Sequence, residues 1–168
     1  MSHAKNKLNW CLRKAEKELK QGKKNRGIIN IKPDMKKAKE HIIKAEHYLK
    51  ATDYLKKGNF SDISTSTVFY SMYHCLLAIA AKFGYESGNQ ECTFALISTL
   101  IEEGKINFEQ SLLDRISQLE ITDTQTSVEI REQYQYGTSL SIKDDGLYDR
   151  LFSLAQEVLS KTKIIIEE

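Results

Sequence analysis

Apolar residues recur at helical spacing from the start of the chain. Within residues 4–22 five apolar side chains fall three or four positions apart, with lysine and glutamate among the residues between them: Leu8, Cys11, Leu12, Ala15 and Leu19. This spacing predicts an amphipathic helix that ends at Gly22. The following segment, KKNRGIINIKPD, predicts a loop.

A second helix is predicted to begin at Pro33 and Asp34, residue types that favour a helix start. Its apolar stripe continues to Lys57, and Gly58 with Asn59 ends it. About 23 residues at 1.5 Å per residue give a helix of roughly 35 Å.

The third segment is the most apolar of the chain. Residues 68–83, VFYSMYHCLLAIAAKF, are apolar on nearly every face of a helix, which Ser61 or Asp62 can cap and Gly84 ends. A helix of this kind is normally the central, buried helix of a domain.

Four more segments are candidate helices, at residues 90–103, 107–119, 128–138 and from Asp144 or Asp145 onward. The polar stretch at 122–127 is either a loop or a helix start, and the tail KIIIEE is either a helix end or a short strand. Six or seven helices, short connections and no convincing strand pattern predict an all-α, up-and-down helical bundle of about five to seven helices.

Composition is typical of one soluble domain. The chain has 168 residues, of which 40% are hydrophobic and 29% charged, and its eight glycines and one proline argue against a turn-rich all-β fold. No run approaches the length of about 18 apolar residues that suggests a membrane span, so no membrane contact is expected. The first residues lack the apolar core of a signal peptide, which predicts a cytoplasmic protein.

The sequence offers little for metal or covalent chemistry. Cys11, Cys75 and Cys92 are an odd number without CxxC spacing, so neither a disulfide framework nor a zinc site is expected. His41 and His47 are six positions apart and therefore lie on different faces of the second helix. The sequence contains no HExxH, P-loop, GxGxxG or GxSxG motif. No metal and no cofactor are expected.

Charge is divided unevenly along the chain. Residues 1–57 carry an excess of eleven positive charges and residues 58–168 an excess of nine negative charges, for a net charge of +2. If the two parts occupy different faces, the basic part can attract RNA or an acidic protein. The alternative is that lysine serves only as a soluble helix former.

Two clusters are candidates for a binding site. His74 lies beside Tyr70 and Tyr73 in the most apolar helix, where it is either a core histidine with a satisfied hydrogen bond or part of a site.

The second cluster is REQYQYG, in which Arg131, Tyr134 and Gln135 share one helix face. A guanidinium recognises phosphate, and neighbouring tyrosines can stack on bases. The alternative is an interior Arg–Glu pair with tyrosines packed between helices.

The segment TVFYSMYHCLLAIAAKFGYES resembles the characteristic helix of the HEPN family, and the likeness continues through the next helix and recurs at REQYQYGT. It covers roughly residues 38–160. Residues 1–32 then form a basic N-terminal extension, and residues 33–168 a HEPN-like bundle. The resemblance implies four to five long helices, commonly paired as a homodimer. Many HEPN proteins are metal-independent ribonucleases, frequently toxins whose antitoxin is a minimal nucleotidyltransferase.

In those ribonucleases an arginine stabilises the anionic phosphorane, and a histidine a few residues later acts as acid or base. Arg131 fits the arginine, but Tyr136 stands where the histidine could be, and no histidine follows. Gln135 replaces an aspartate that is common in a related subgroup. The resemblance therefore implies the fold more strongly than the ribonuclease activity.

Three functions remain open at this point. The first is a HEPN-like protein of a toxin–antitoxin or defence system that binds a nucleotide, RNA or a nucleotidyltransferase partner, in a groove lined by Tyr70, Tyr73, His74, Arg131, Tyr134, Gln135 and Tyr136. The second is an endoribonuclease in which Arg131 holds the phosphate and Tyr136 or His74 handles protons. The third is a non-catalytic assembly protein whose tyrosines belong to the core.

Overall fold

The computed structural model describes residues 2–24, 26–117 and 126–168. These residues form seven helices and two short strands: α1 His3–Lys20, β1 Ile28–Asn30, α2 Met35–Lys57, α3 Ser61–Lys82, β2 Tyr85–Ser87, α4 Gln90–Glu102, α5 Gln110–Ile116, α6 Ser127–Tyr136 and α7 Asp145–Glu167. The prediction of an all-α helical bundle is confirmed. Of the polar stretch at 122–127, residues 122–125 lie outside the described residues, and the tail KIIIEE belongs to α7.

Helix α3 is the centre of the bundle. It packs against α2, α4, α6 and α7, and its largest fully buried side chains include Phe69, Met72, Leu76 and Ile79. By length and composition α3 could cross a membrane, but 61% of its apolar window is buried inside the protein. A mostly buried core helix passes the same test of length and composition.

The sequence pattern predicts a loop where strand β1 lies and gives no signal for strand β2. They pair antiparallel, with Ile29 opposite Glu86, and three residues are too few to produce a visible alternation. Gly84 precedes β2 with φ +82°, and a Cβ atom there would lie 2.9 Å from the Ile31 carbonyl oxygen. The Ile31 N–H donates to the Gly84 carbonyl at 2.8 Å, so this close approach requires glycine.

A disulfide joins Cys11 on α1 to Cys92 on α4, with 6.0 Å between the Cα atoms. The expectation of no disulfide is wrong, because two cysteines 81 positions apart give no spacing signal in the sequence. Cys75 remains as a buried free thiol, and burial raises its pKa to about 12. The bond ties the N-terminal helix to the bundle.

Ion pairs also hold α1 in place, and they mix the basic and acidic parts of the chain. Lys5 pairs with Glu103 at 2.6 Å and Lys7 with Glu91 at 2.8 Å. The same occurs on α2, where Lys37 pairs with Glu86 at 2.6 Å. Exposed pairs of this kind contribute little to stability, but they join cations of residues 1–57 to carboxylates of residues 58–168 at three places.

Opening the Cys11–Cys92 bond should lower the free energy of unfolding by about 2–4 kcal/mol, because the bond restricts a long loop in the unfolded chain. Urea unfolding with and without a thiol reductant measures the change, and hydrogen exchange should increase in α1 more than in α3. The Cys11→Ala/Cys92→Ala variant is the control and should not respond to the reductant. An equal response of both proteins would contradict the assignment to this bond.

Candidate functional site

Arg131 is held by the short helix α6 against the central helix. Thr126 caps α6 through a capping box with Glu129, and α6 packs on α3. The Arg131 guanidinium carbon lies 4.5 Å from the ring centroid of Phe69 and 5.9 Å from that of Tyr70. These distances allow cation–π attraction, which is stronger where water is excluded.

The hydrogen bonding of Arg131 is incomplete for a cation so deeply placed. Its side chain is 9% exposed, and Nη2 donates to Glu132 Oε1 only at 3.4 Å. The buried Nε–H has no hydrogen-bond partner among the residues that the structure describes. A buried charge without full hydrogen bonding is costly, so Arg131 retains donor capacity for an anion.

A row of rings continues from Arg131 along the interface of α2 and α3. Tyr70 lies 5.7 Å from Tyr48, and Tyr48 stacks on His74 with 5.5 Å between centroids and 18° between planes. His74 in turn contacts His41, with 2.9 Å between their Nδ1 atoms. We call Tyr70, Tyr48, His74 and His41 the ring row.

The two histidines of the ring row face each other end to end. Their centroids are 5.2 Å apart and their Nδ1 atoms 2.9 Å apart, so both nitrogens lie near the line between the rings. Such a pair holds one proton between the two nitrogens, since a second proton would set two N–H groups against each other. Burial, His41 and Lys44 lower the pKa of His74 to about 4. Burial and Lys37 lower the pKa of His41, against an opposing effect of Glu86.

Tyr73 points away from the ring row and packs against other residues of the core. Its ring stacks on Phe69 at 6.0 Å, and its hydroxyl lies 3.1 Å from Thr93 Oγ1 on α4. Burial raises the pKa of Tyr73. The structure therefore places Tyr70 and His74 together but Tyr73 on a different side of α3.

The remaining candidates lie on the outer part of α6. Tyr134 is partly buried against the core, Gln135 is exposed, and Tyr136 is 78% exposed. Five residues correspond to a rotation of about 140° on a helix, so Tyr136 and the buried Arg131 face different directions.

A groove of about 790 Å³ runs from α1 to α6, and its walls carry Glu91, Glu102, Glu129 and Glu132. Those carboxylates make it a poor path for a phosphate backbone. Among the described residues no three histidine, cysteine or acidic side chains come together as metal ligands. No protein-family model matches the chain, and no curated protein matches it in sequence.

Three residues of the site were not predicted from the sequence: Phe69, which lies against Arg131, and Tyr48 and His41 of the ring row. A signal for the last two exists. Tyr48 follows His41 by seven positions on α2 and His74 follows Tyr70 by four on α3, so each pair shares one helix face. Neither spacing indicates that the two faces meet.

The histidine pair should make the protein less stable as the pH falls from about 6.5 toward about 4. Both folded-state pKa values lie below the unfolded value, so the unfolded chain binds more protons in this range. The loss in the free energy of unfolding should be smaller in His41→Gln/His74→Gln. Urea unfolding at about pH 7.5 and about pH 4.5 measures it. His47→Gln, an exposed histidine on the same helix, should behave as wild type; equal loss in all three proteins would refute the assignment.

Proposed function

We propose that this protein is a non-catalytic, HEPN-like helical module that binds a phosphate group of a nucleotide or RNA at Arg131. The observation that carries the proposal is the guanidinium itself. It is nine-tenths buried on two aromatic rings, and its Nε–H has no partner among the described residues. A desolvated arginine with unused donors favours a bidentate anion, and phosphate matches its planar geometry.

The surroundings of Arg131 favour a nucleotide over a simple anion. Tyr70 is half-buried beside the guanidinium, with part of its surface open, and Tyr134 lies one turn further along α6. Aromatic side chains next to a phosphate-binding arginine offer a surface for base stacking. Gln135 can add an amide hydrogen bond to a base edge.

Binding is a better account of this geometry than catalysis. A general acid or base needs a pKa near neutrality and hydrogen-bond reach of the reacting group. His74 has a pKa of about 4 and uses Nδ1 on His41, and Tyr70 comes between it and Arg131 along the row. Tyr136 is exposed and faces away from Arg131.

The proposed likeness to HEPN domains rests on two sequence segments that lie against each other in this protein. The segment TVFYSMYHCLLAIAAKFGYES supplies most of the central helix α3, and REQYQYGT supplies most of α6, which packs on it. Two segments far apart in sequence thus meet at Phe69, Tyr70 and Arg131. We further infer a place in a toxin–antitoxin or defence system.

A cytoplasmic location suits ligands such as RNA and nucleotides. Thiols keep most cytoplasmic cysteines reduced. We therefore expect the Cys11–Cys92 bond to be open in part of the molecules in the cell.

The test is binding of a labelled single-stranded RNA and of ATP, with EDTA present, to wild type, Arg131→Met and Arg131→Lys. Methionine fills the space over Phe69 without charge, and we expect at least about tenfold weaker binding. Lysine keeps the charge but lacks the paired N–H donors of a guanidinium, so the affinity of Arg131→Lys should be intermediate. Arg115→Met is the matched control, because Arg115 is exposed and only loosely paired with Glu157 at 3.8 Å.

Stability separates a binding role from a structural one. If Arg131 is kept for a ligand, Arg131→Met should leave the free energy of unfolding unchanged or raised, because an incompletely bonded buried charge is removed. Unchanged binding together with a large loss of stability would refute the proposal and favour an assembly role. RNA cleavage that depends on Arg131 would refute the non-catalytic part of it.

We place the protein partner, a second copy of the chain or a minimal nucleotidyltransferase, on an exposed apolar surface at one end of the bundle. Tyr54, Phe60 and Ile63 lie around the turn from α2 to α3 and are 78%, 54% and 48% exposed. Leu140 is 81% exposed. Its segment is held at the same end of the bundle, because the Ile142 N–H donates to Ser61 Oγ at 2.8 Å. Exposed apolar patches often mark protein interfaces.

Leu140→Asp should convert a dimer to a monomer or lower the dimer affinity at least about tenfold, because it places a charge in a desolvated interface. Light scattering after size exclusion gives the mass. Ile164→Asp, at a similarly exposed position on α7, should not change it. If the wild type is a monomer at all concentrations, the homodimer is contradicted. The surface would then be assigned to a nucleotidyltransferase partner, which co-purification with a protein of that class tests.

A further inference from the structure

Helix α1 carries the one tryptophan of the chain in an exposed position. Trp10 is 51% exposed, although tryptophan is usually well buried because of its large apolar surface. The ammonium groups of Lys7 and Lys14 lie 5.0 and 5.1 Å from its ring. Lys7, Trp10 and Lys14 follow each other at helical spacing and share one face of α1.

A recess of about 550 Å³ lies beside Trp10. It is lined by the Cys11–Cys92 disulfide, by the cations Lys14 and Arg26, by the carboxylates Glu18 and Glu91, and by the turn at Gly88 and Asn89. This volume is in the range of small-molecule sites. The recess therefore combines an aromatic side chain, a disulfide and charged groups of both signs.

Lysines offset the two carboxylates of the recess, which leaves an excess of positive charge at Arg26. Lys7 is paired with Glu91 at 2.8 Å, while Lys14 reaches Glu18 only at 4.0 Å. Arg26 is exposed and forms no ion pair with any residue that the structure describes. One fully available cation and one loosely paired cation thus stand next to an exposed indole.

We propose that this recess binds a nucleotide unit, with its base stacked on Trp10 and its phosphate held by Arg26 and Lys14. Stacking of a base on an aromatic side chain is more favourable than the cation–π contact of an exposed lysine with the same ring. The flexible lysines can therefore leave the ring and turn to the phosphate.

A membrane surface is the rival for a helix with lysines and a tryptophan. Among the described residues of α1, however, only Trp10 and Leu19 are large exposed apolar side chains, which is little for an interfacial helix. A recess also suits a base better than a flat bilayer. The nucleotide is therefore the occupant that the geometry favours.

The site does not rest on Arg131. Trp10 is on α1, which packs on α4, whereas Arg131 is on α6, which packs on α3. The groove between α1 and α6 carries four glutamates, so a nucleic-acid backbone has no favourable path from one site to the other. The two sites can be tested separately.

Trp10 itself reports on binding, because its emission is the only tryptophan signal in the protein. We expect AMP and a single-stranded oligoadenylate to quench it in a saturable, salt-sensitive manner, with the disulfide intact. If only AMP gives saturable quenching, the site binds free nucleotides. If only the oligonucleotide does, the site binds RNA. Arg26→Glu should weaken binding about tenfold, and Arg115→Glu should leave the quenching unchanged.

Trp10→Leu tests the stacking directly. Binding of a labelled oligonucleotide or nucleotide at this site should weaken at least about fivefold, the lower end of the effect of base stacking, and measuring it in the Arg131→Met background removes the other site. Circular dichroism checks the fold of each variant. Absence of quenching by both probes, or quenching by anionic vesicles and not by nucleotides, would overturn the proposal.

Discussion

The structure depends on the need to bury α3 on all sides. Its residues are apolar on nearly every face, so no single neighbouring helix can cover it, and α2, α4, α6 and α7 do so together. Each face of α3 then presents its aromatic residues to a different neighbour. Tyr70 and His74 meet α2, Tyr73 meets α4, and Phe69 meets Arg131 of α6. The candidate site therefore lies where the neighbouring helices pack against α3.

Arg131 is a buried charge whose hydrogen bonding is incomplete. Most other buried polar groups are satisfied locally, as where the Ser71 hydroxyl donates to the Ala45 carbonyl at 2.8 Å and Thr99 to the Ala95 carbonyl at 2.7 Å, although the buried Tyr148 hydroxyl also has no partner among the described residues. Arg131 instead retains an unpaired Nε–H on two aromatic rings. Natural proteins accept such local costs mainly where function requires them, which is the physical reason to place the ligand here.

Periodicity was enough to predict the helices, because burial of a stripe is a local property of the sequence. The central role of α3 and its end before Gly84 follow from the same pattern. The contacts between elements did not follow: His41 meets His74 across two helices, and Cys11 meets Cys92 over 81 positions. Phe69 could be recognised as a core residue, but not as the ring beneath Arg131, since that contact requires the placement of α6.

The uneven division of charge along the chain does not by itself locate a binding site for an anion. The excess of positive charge in residues 1–57 suggests a basic face, yet Lys5, Lys7 and Lys37 are neutralised by glutamates of α4 and β2 or just after α4. Among the other cations, Arg26 and Lys14 lie beside Trp10, and Arg131 lies against Phe69 and Tyr70. Attraction by total charge would act on any polyanion, whereas these places combine a cation with an aromatic ring. In the proposed function, selection of nucleotides would come from stacking and hydrogen-bond geometry at single residues.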